Sequence, residues 1–221
     1  MYIYILQALL FFLIYVFIDY MLGDKIQGKY YLLHSINNLL ILNSCIPDMM
    51  FTYNNFFNYY KYELNYFPCV ISYSLHLYHI IVYFNKMRFD DWLHHLVMMF
   101  SLPLALMIDP GSLLNHAMFY LTGLPGAINY FLLFLCRNDY ISKMFQKKVN
   151  NYLNLLIRCP GCLSHVTMSL LTLGFRDFAP IQVYCVLLQS LIVYWNGIYF
   201  MNQVIVDYNL RVSNYPKISN K

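Results

Sequence analysis

Seven apolar runs follow one another along 221 residues, with only short polar connections between them. They cover Met1–Leu22, Tyr31–Pro47, Pro68–Asn85, Trp92–Ile108, Leu113–Cys136, Cys159–Phe175 and Pro180–Met201. A bilayer-spanning helix needs roughly 20 such residues. The expected fold class is therefore an all-α polytopic membrane protein with about seven transmembrane helices. Only 11% of the residues are charged, whereas a soluble domain carries about 25%, so too few charges remain to coat a water-facing surface. The chain divides into a first helix (1–22), a membrane domain (23–203) and a polar tail (204–221), which leaves no room for a second domain of ordinary size. The net charge of +4 requires no nucleic acid as partner.

The first run contains only Gln7 and Asp19 as interruptions. It lacks a basic leading region and a small-residue cleavage site, so it reads as a retained span rather than a signal peptide. Six cysteines scattered through apolar sequence do not make the framework of a small secreted disulfide protein. Asp48–Phe67 is a long polar connection rich in aromatic residues, suited to a membrane interface. Pro103 is expected to kink the fourth helix, and Asp109–Pro110–Gly111 to form a tight turn. Gly123–Leu124–Pro125–Gly126 is expected to break or bend the fifth helix and to allow close approach of a neighbour. Arg137–Arg158 reads as a polar loop with an interfacial amphipathic segment, its apolar stripe made by Ile141, Met144, Phe145, Val149, Tyr152 and Leu153.

Charge sets the orientation. Twelve of the fourteen basic residues fall on one side of this topology: Lys25, Lys29, Lys86, Arg88, Arg137, Lys143, Lys147, Lys148, Arg158, Arg211, Lys217 and Lys221. Only Lys61 and Arg176 fall on the other. The positive-inside rule then puts the N-terminus in the lumen and the C-terminus in the cytosol, in the endoplasmic reticulum or another endomembrane.

Histidine is costly inside an apolar span and marks a functional site by default. His76 and His79 share a face of the third run, three residues apart, and the adjacent His94–His95 open the fourth. The six residues Lys86–Asp91 join the two runs as an antiparallel hairpin. Adjacent residues point about 100° apart on a helix, so one of His94 and His95 can face a pocket while the other packs laterally. Counting depth from the predicted span ends sets His34 and His165 in the same layer and leaves His116 alone near the opposite face. The competing structural explanation is that these rings are hydrogen-bond glue between helices.

Other chemistries fit less well. The spacing HxxH followed by HH lacks the repeated histidine boxes of membrane di-iron enzymes, so no metal is expected. Cys159–Pro160–Gly161–Cys162 with His165 is at most half a zinc site and reads better as a helix entry. No G-x-S-x-G and no phosphate-binding glycine loop is present. Asp90 and Asp91 suit the N-terminal cap of the fourth helix, and Asp91 is a lesser candidate for orienting a histidine.

The string Arg88–Phe89–Asp90–Asp91–Trp92–Leu93–His94–His95 resembles the core of the TLC-domain family of membrane proteins. Supporting pieces are Leu32–Leu33–His34 with Asn38, Leu75–His76–Leu77–Tyr78–His79, and Tyr194–Trp195–Asn196–Gly197 with Tyr199–Phe200. The family includes ceramide synthases, whose HH pair is required for acyl transfer from acyl-CoA to a sphingoid amine. The resemblance implies a TLC-type bundle or barrel, with His94 and His95 as catalytic candidates and His76, His79, His34 and Asp91 in support. It implies membrane lipids, acyl-CoA and a lipid amine as partners, with no bound cofactor. Leu113–Cys136 carries no carboxylate, unlike the corresponding helix of the synthases, which aligns the chain with the smaller TLC-domain proteins. The alternative is a non-enzymatic lipid-binding protein or regulator of membrane lipid composition.

Overall fold

The computed structural model describes residues 2–23, 26–87 and 89–214, the side chain of Asp90 excepted. Lys25, Arg88, Lys217 and Lys221 of the charge count lie outside the described residues. Among those described, the chain forms seven consecutive helical rods and no strand. We number them α1 (Tyr2–Leu22), α2 (Lys29–Asn54), α3 (Phe67–Val82), α4 (Phe89–Leu106), α5 (Leu113–Arg137), α6 (Lys143–Thr172) and α7 (Pro180–Asn214). Four of them, α1, α5, α6 and α7, are long and apolar enough to cross a membrane.

The other three fall short for different reasons. Helix α3 has only 16 residues, roughly 24 Å against a hydrocarbon core of about 30 Å, and α4, with 18, opens on the polar run Asp90, Asp91, His94 and His95, which lowers its apolar character. Helix α2 is long enough, but it buries His34, Ser35, Asn37 and Asn38 while exposing Ile36, Leu39 and Leu40. Polar inside and apolar outside is the reverse of a water-soluble helix, and it suits a lipid exterior with a polar interior.

Packing closes a ring. Each of α2–α3, α3–α4, α4–α7, α7–α6, α6–α5 and α5–α2 is a contacting pair. Helix α1 stands outside this ring against α3 and α2 and buries only Tyr15. It is tied on by polar groups one turn apart. The Tyr15 hydroxyl donates to Asn37 Oδ1 at 2.5 Å, while Asp19 accepts from the Tyr83 hydroxyl at 2.8 Å and pairs with Lys29 at 3.2 Å.

The two ends of the bundle differ. At the end with the α3–α4 turn lie Lys29, Lys86, Arg137, the first turns of α6, and Arg211; here Lys147 pairs with Asp207 at 2.7 Å. At the far end, Arg176 donates to the Asp109 carbonyl at 2.8 Å and stacks over the Tyr60 and Phe178 rings. The turn there requires glycine: Gly111 has φ of +50°, and a Cβ on it would collide with the backbone of Tyr59. Asp48 and Asn65 brace the same end. Asp48 accepts from Asn115 Nδ2 at 2.7 Å, and Asn65 Nδ2 donates to the Ser44 carbonyl at 3.1 Å, one turn before the helix-interior Pro47.

Several sequence expectations are corrected. The polar connection expected from Asp48 is shorter, because α2 runs on to Asn54 and buries Asp48 and Thr52. Gly123–Gly126 does not break α5: a π-helical turn, Phe119–Gly123, precedes Pro125 and the helix continues to Arg137. The glycines there do admit a neighbour, since a Cβ on Gly123 would stand 3.3 Å from the Leu42 backbone, and one on Gly126 would strike Asn38. Arg137–Arg158 is not an interfacial loop. Residues from Lys143 onward form the first half of α6, and a second π turn, Asn154–Arg158, precedes Pro160. In both helices the wider turn absorbs a proline that offers no N–H to the ladder. The seventh helix does not stop at Met201 but continues to Asn214.

Candidate functional site

The ring encloses a cavity of about 350 Å³ to which each of its six helices contributes. This lies within the range of small-molecule sites, roughly 300–1,000 Å³. Helices α3 and α4 bring His76 and His94, with Asp91 one turn before His94; α2 brings Tyr30, His34 and Asn38. Asn129 and Tyr130 come from α5, Asn150, Asn154 and Arg158 from α6, and Asn196, Phe200 and Gln203 from α7.

The structure separates the adjacent histidines. His94 faces the cavity, whereas His95 is fully buried and does not line it. His95 packs beside His76 at 5.0 Å and His79 at 5.3 Å, measured between ring centroids. His79 is fully buried too and stacks on His34 at 4.2 Å, and His34 stacks in turn on Tyr130 at 4.2 Å. Asp91 lies in the first turn of α4 and reaches the cavity wall.

Among the described residues, these rings make no direct hydrogen bond from one helix to another. His76 Nδ1 donates to the Ser72 carbonyl, one turn back on its own helix, at 2.7 Å. His76 Nε2, His34 Nε2 and both ring nitrogens of His79 and His95 are buried without a partner among the described residues. Buried polar atoms are nearly always satisfied, by protein or by water, so this concentration of unpartnered nitrogens beside a cavity is a candidate ligand site. His76, His94 and His95 can each offer a ring nitrogen, all within 4.8 Å of one another.

His165 is elsewhere. It stacks on His116 at 5.9 Å, toward the far end of the bundle. The expected depth assumed that the sixth helix begins at Cys159. It begins at Lys143, which carries His165 past the middle of the bundle. Cys159 and Cys162 are buried free thiols in mid-helix rather than a helix entry. Cys162 packs against Gly197 of α7, where a Cβ would come within 2.8 Å.

Sequence reasoning missed Arg158. Its Nη2 donates to Asn196 Oδ1 at 2.8 Å, its guanidinium lies 4.7 Å above the Phe200 ring, and its Nε is buried without a partner. His94 meets the same Phe200 ring edge-on at 6.4 Å. A guanidinium and an imidazole therefore flank one aromatic side chain in the cavity wall. The available signal was the stripe Gln146, Asn150, Asn154 and Arg158, four residues apart along α6.

Beyond Val97, Leu121 and Asn196, which line both spaces, the cavity adjoins a second void of about 30 Å³ between Met98, Leu102, Ala117, Met118 and Val193. The combination is a polar chamber with an apolar seam running toward the far end. It can hold a polar head among the asparagines and Arg158 and a reacting group at the His76–His94 corner, while the seam has room for about one methylene and marks the direction in which a chain would have to widen it. No protein-family model, curated protein or solved structure matches this chain.

Proposed function

We propose that this protein is a multi-pass membrane enzyme of lipid metabolism that transfers an acyl group from acyl-CoA to a lipid amine. The observation that carries the reading is the polar cavity faced by one imidazole of the HH pair and continued by an apolar seam. An acyl-transfer site in a membrane needs those three parts: a reactive group, a polar chamber for the head and leaving group, and a dry path for the chain. The short motifs behind the TLC-domain resemblance support it, because each sends residues to the cavity wall: His34 and Asn38, His76, His94, and Asn196 with Phe200.

In this reading the thioester carbonyl and the amine meet at the His76–His94 corner, and Arg158 with Asn196 supplies donors to the developing oxyanion. His95 and His79 are positioning residues beneath that corner. All seven helices span the bilayer, with the basic α3–α4 end cytosolic, so that CoA stays in water while the acyl chain enters the bundle.

The test uses membranes containing the full chain, supplied with acyl-CoA and a long-chain amine, with the N-acylated product measured by mass spectrometry. Product should rise above membranes lacking the protein and fall to that background with His94→Ala. If the wild type makes none across short and long acyl donors while still binding lipid, the non-enzymatic lipid-binding reading replaces this one.

A further inference from the structure

Three histidine rings from two helices form a nearly equilateral triangle beside the cavity. Their centroids are 5.0 Å (His76–His95), 5.3 Å (His94–His95) and 5.4 Å (His76–His94) apart. A tetrahedral zinc ion with Zn–N bonds of about 2.0–2.1 Å sets the centroids of three imidazole ligands roughly 5.2 Å apart. The observed spacing is that of a three-histidine ligand set.

Local sequence explains the arrangement. His94 and His95 are adjacent on α4, so their rings diverge by about 100° and straddle the third ring, His76, presented by the antiparallel α3. The Ser72 carbonyl accepts from His76 Nδ1 at 2.7 Å, so the proton sits on that nitrogen and the lone pair is left on Nε2. A backbone carbonyl fixing the far nitrogen is the usual outer support of a metal-ligating histidine. His76 Nε2 and both nitrogens of His95 have no partner, although His76 is 4% exposed and His95 fully buried. The candidate ligand atoms lie within 4.8 Å of one another, and closing onto an ion asks each to move by less than about 1 Å.

We infer that His76, His94 and His95 bind one divalent first-row metal ion, zinc being the first candidate by the chemistry of imidazole ligands. Three protein nitrogens leave a fourth position open, as in catalytic zinc sites. That position faces the chamber, since His76 and His94 both line it. The inference departs from the absence of a metal expected from sequence, where the spacing of the histidines matched no known box. The triangle is made by the hairpin fold and has no signature along one helix.

The full-length protein, purified in detergent from zinc-supplied cells, is assayed by elemental analysis and then by exchange to cobalt. About one ion per chain is expected, with the visible absorption of four-coordinate cobalt. His94→Ala and the near-isosteric His95→Gln should each lower metal affinity by more than roughly tenfold, the scale on which even outer supports of a metal site act. His34→Phe, in the same layer but outside the triangle, should keep the ion. The wild-type thermal transition should fall on chelation and recover with zinc, a readout that needs no variant to fold. No ion in zinc-loaded wild type, no response to chelation, or full occupancy in folded His94→Ala would overturn the assignment. Neither readout uses an acyl substrate. Metal-loaded protein without transfer would therefore sink the functional reading alone, and an active protein with no ion would sink this inference alone.

Discussion

Two groups of histidines sit in this bundle, and they differ in how many of their ring nitrogens are held. Near the far end, His116 Nε2 shares a hydrogen bond with the Tyr53 hydroxyl at 3.0 Å, and His165 Nε2 shares one with Ser169 Oγ at 3.2 Å. Each of these rings has a hydroxyl partner at Nε2 and a buried Nδ1 without one, and neither lines the cavity inside the ring of helices. Around His94 the rings stack on one another, and their nitrogens are largely without protein partners. The far pair is stabilising packing that happens to use imidazole. The near cluster leaves polar capacity unspent at a cavity, which costs stability unless water or a ligand meets it. Residue type alone does not distinguish the two groups; the number of unpartnered ring nitrogens and their place beside the cavity do.

The most severe break in this contrast is His94→Ala. Loss of an acid–base or activating group at the reacting corner costs roughly 10²–10⁴ in rate. Acyl transfer in membranes should fall by at least the lower figure, with expression preserved because the side chain borders a cavity and the melting transition no lower than that of chelated wild type. Arg158→Gln comes next. It removes the charge and the Asn196 hydrogen bond while keeping an amide in the wall, and loss of one oxyanion donor is worth about 10²–10³ in kcat. Rates measured across acyl-CoA concentrations check whether the loss falls in kcat, as stabilisation of the transition state requires, or in KM. A KM effect alone would make Arg158 a binder of the anionic head group.

Filling the seam should act on specificity rather than rate. Ala117 is 2% exposed and borders the second void. Ala117→Leu puts methyl groups where the chain is to lie and should shift preference toward shorter acyl-CoA. One methylene's difference in an apolar pocket is worth about 1–3 kcal/mol of discrimination. Competition between short and long donors in one reaction measures it directly, and an unchanged ratio would remove the seam from the substrate path.

The apolar runs coincide with the seven helical rods among the described residues, four of them long and apolar enough to cross a membrane, where backbone polar groups permit little besides helix. Their ends were less legible. Local polarity between Arg137 and Arg158 looked like a loop, yet Lys143, Lys147 and Lys148 belong to the first turns of a 30-residue helix. Its polar face turns into the bundle rather than toward water. Phe145 and Tyr152 are half-exposed while Gln146, Asn150 and Asn154 are buried, because the interior here is polar and the exterior apolar. That inward polar face hid Arg158 among interfacial charges, and the earlier helix start moved His165 by several turns. The hairpin cluster was legible because its short turn left one way to fold it. The triangle within it depends on rotation of α4 about its axis, which spacing does not specify.

The smallest expected effect tests the structural half of the contrast. His116→Phe keeps the ring volume and removes the bond to Tyr53, whose hydroxyl retains Tyr120 at 3.1 Å as a partner. A net hydrogen bond contributes about 0.5–1.5 kcal/mol. With one partner kept and no cavity opened, the loss should lie near the low end, a shift of the melting transition by a few degrees at most. Acyl transfer and metal content should match wild type. A large loss of activity without loss of stability would mean that the far end takes part in chemistry, and the distinction between hydrogen-bonded and orphaned histidines would no longer mark the site.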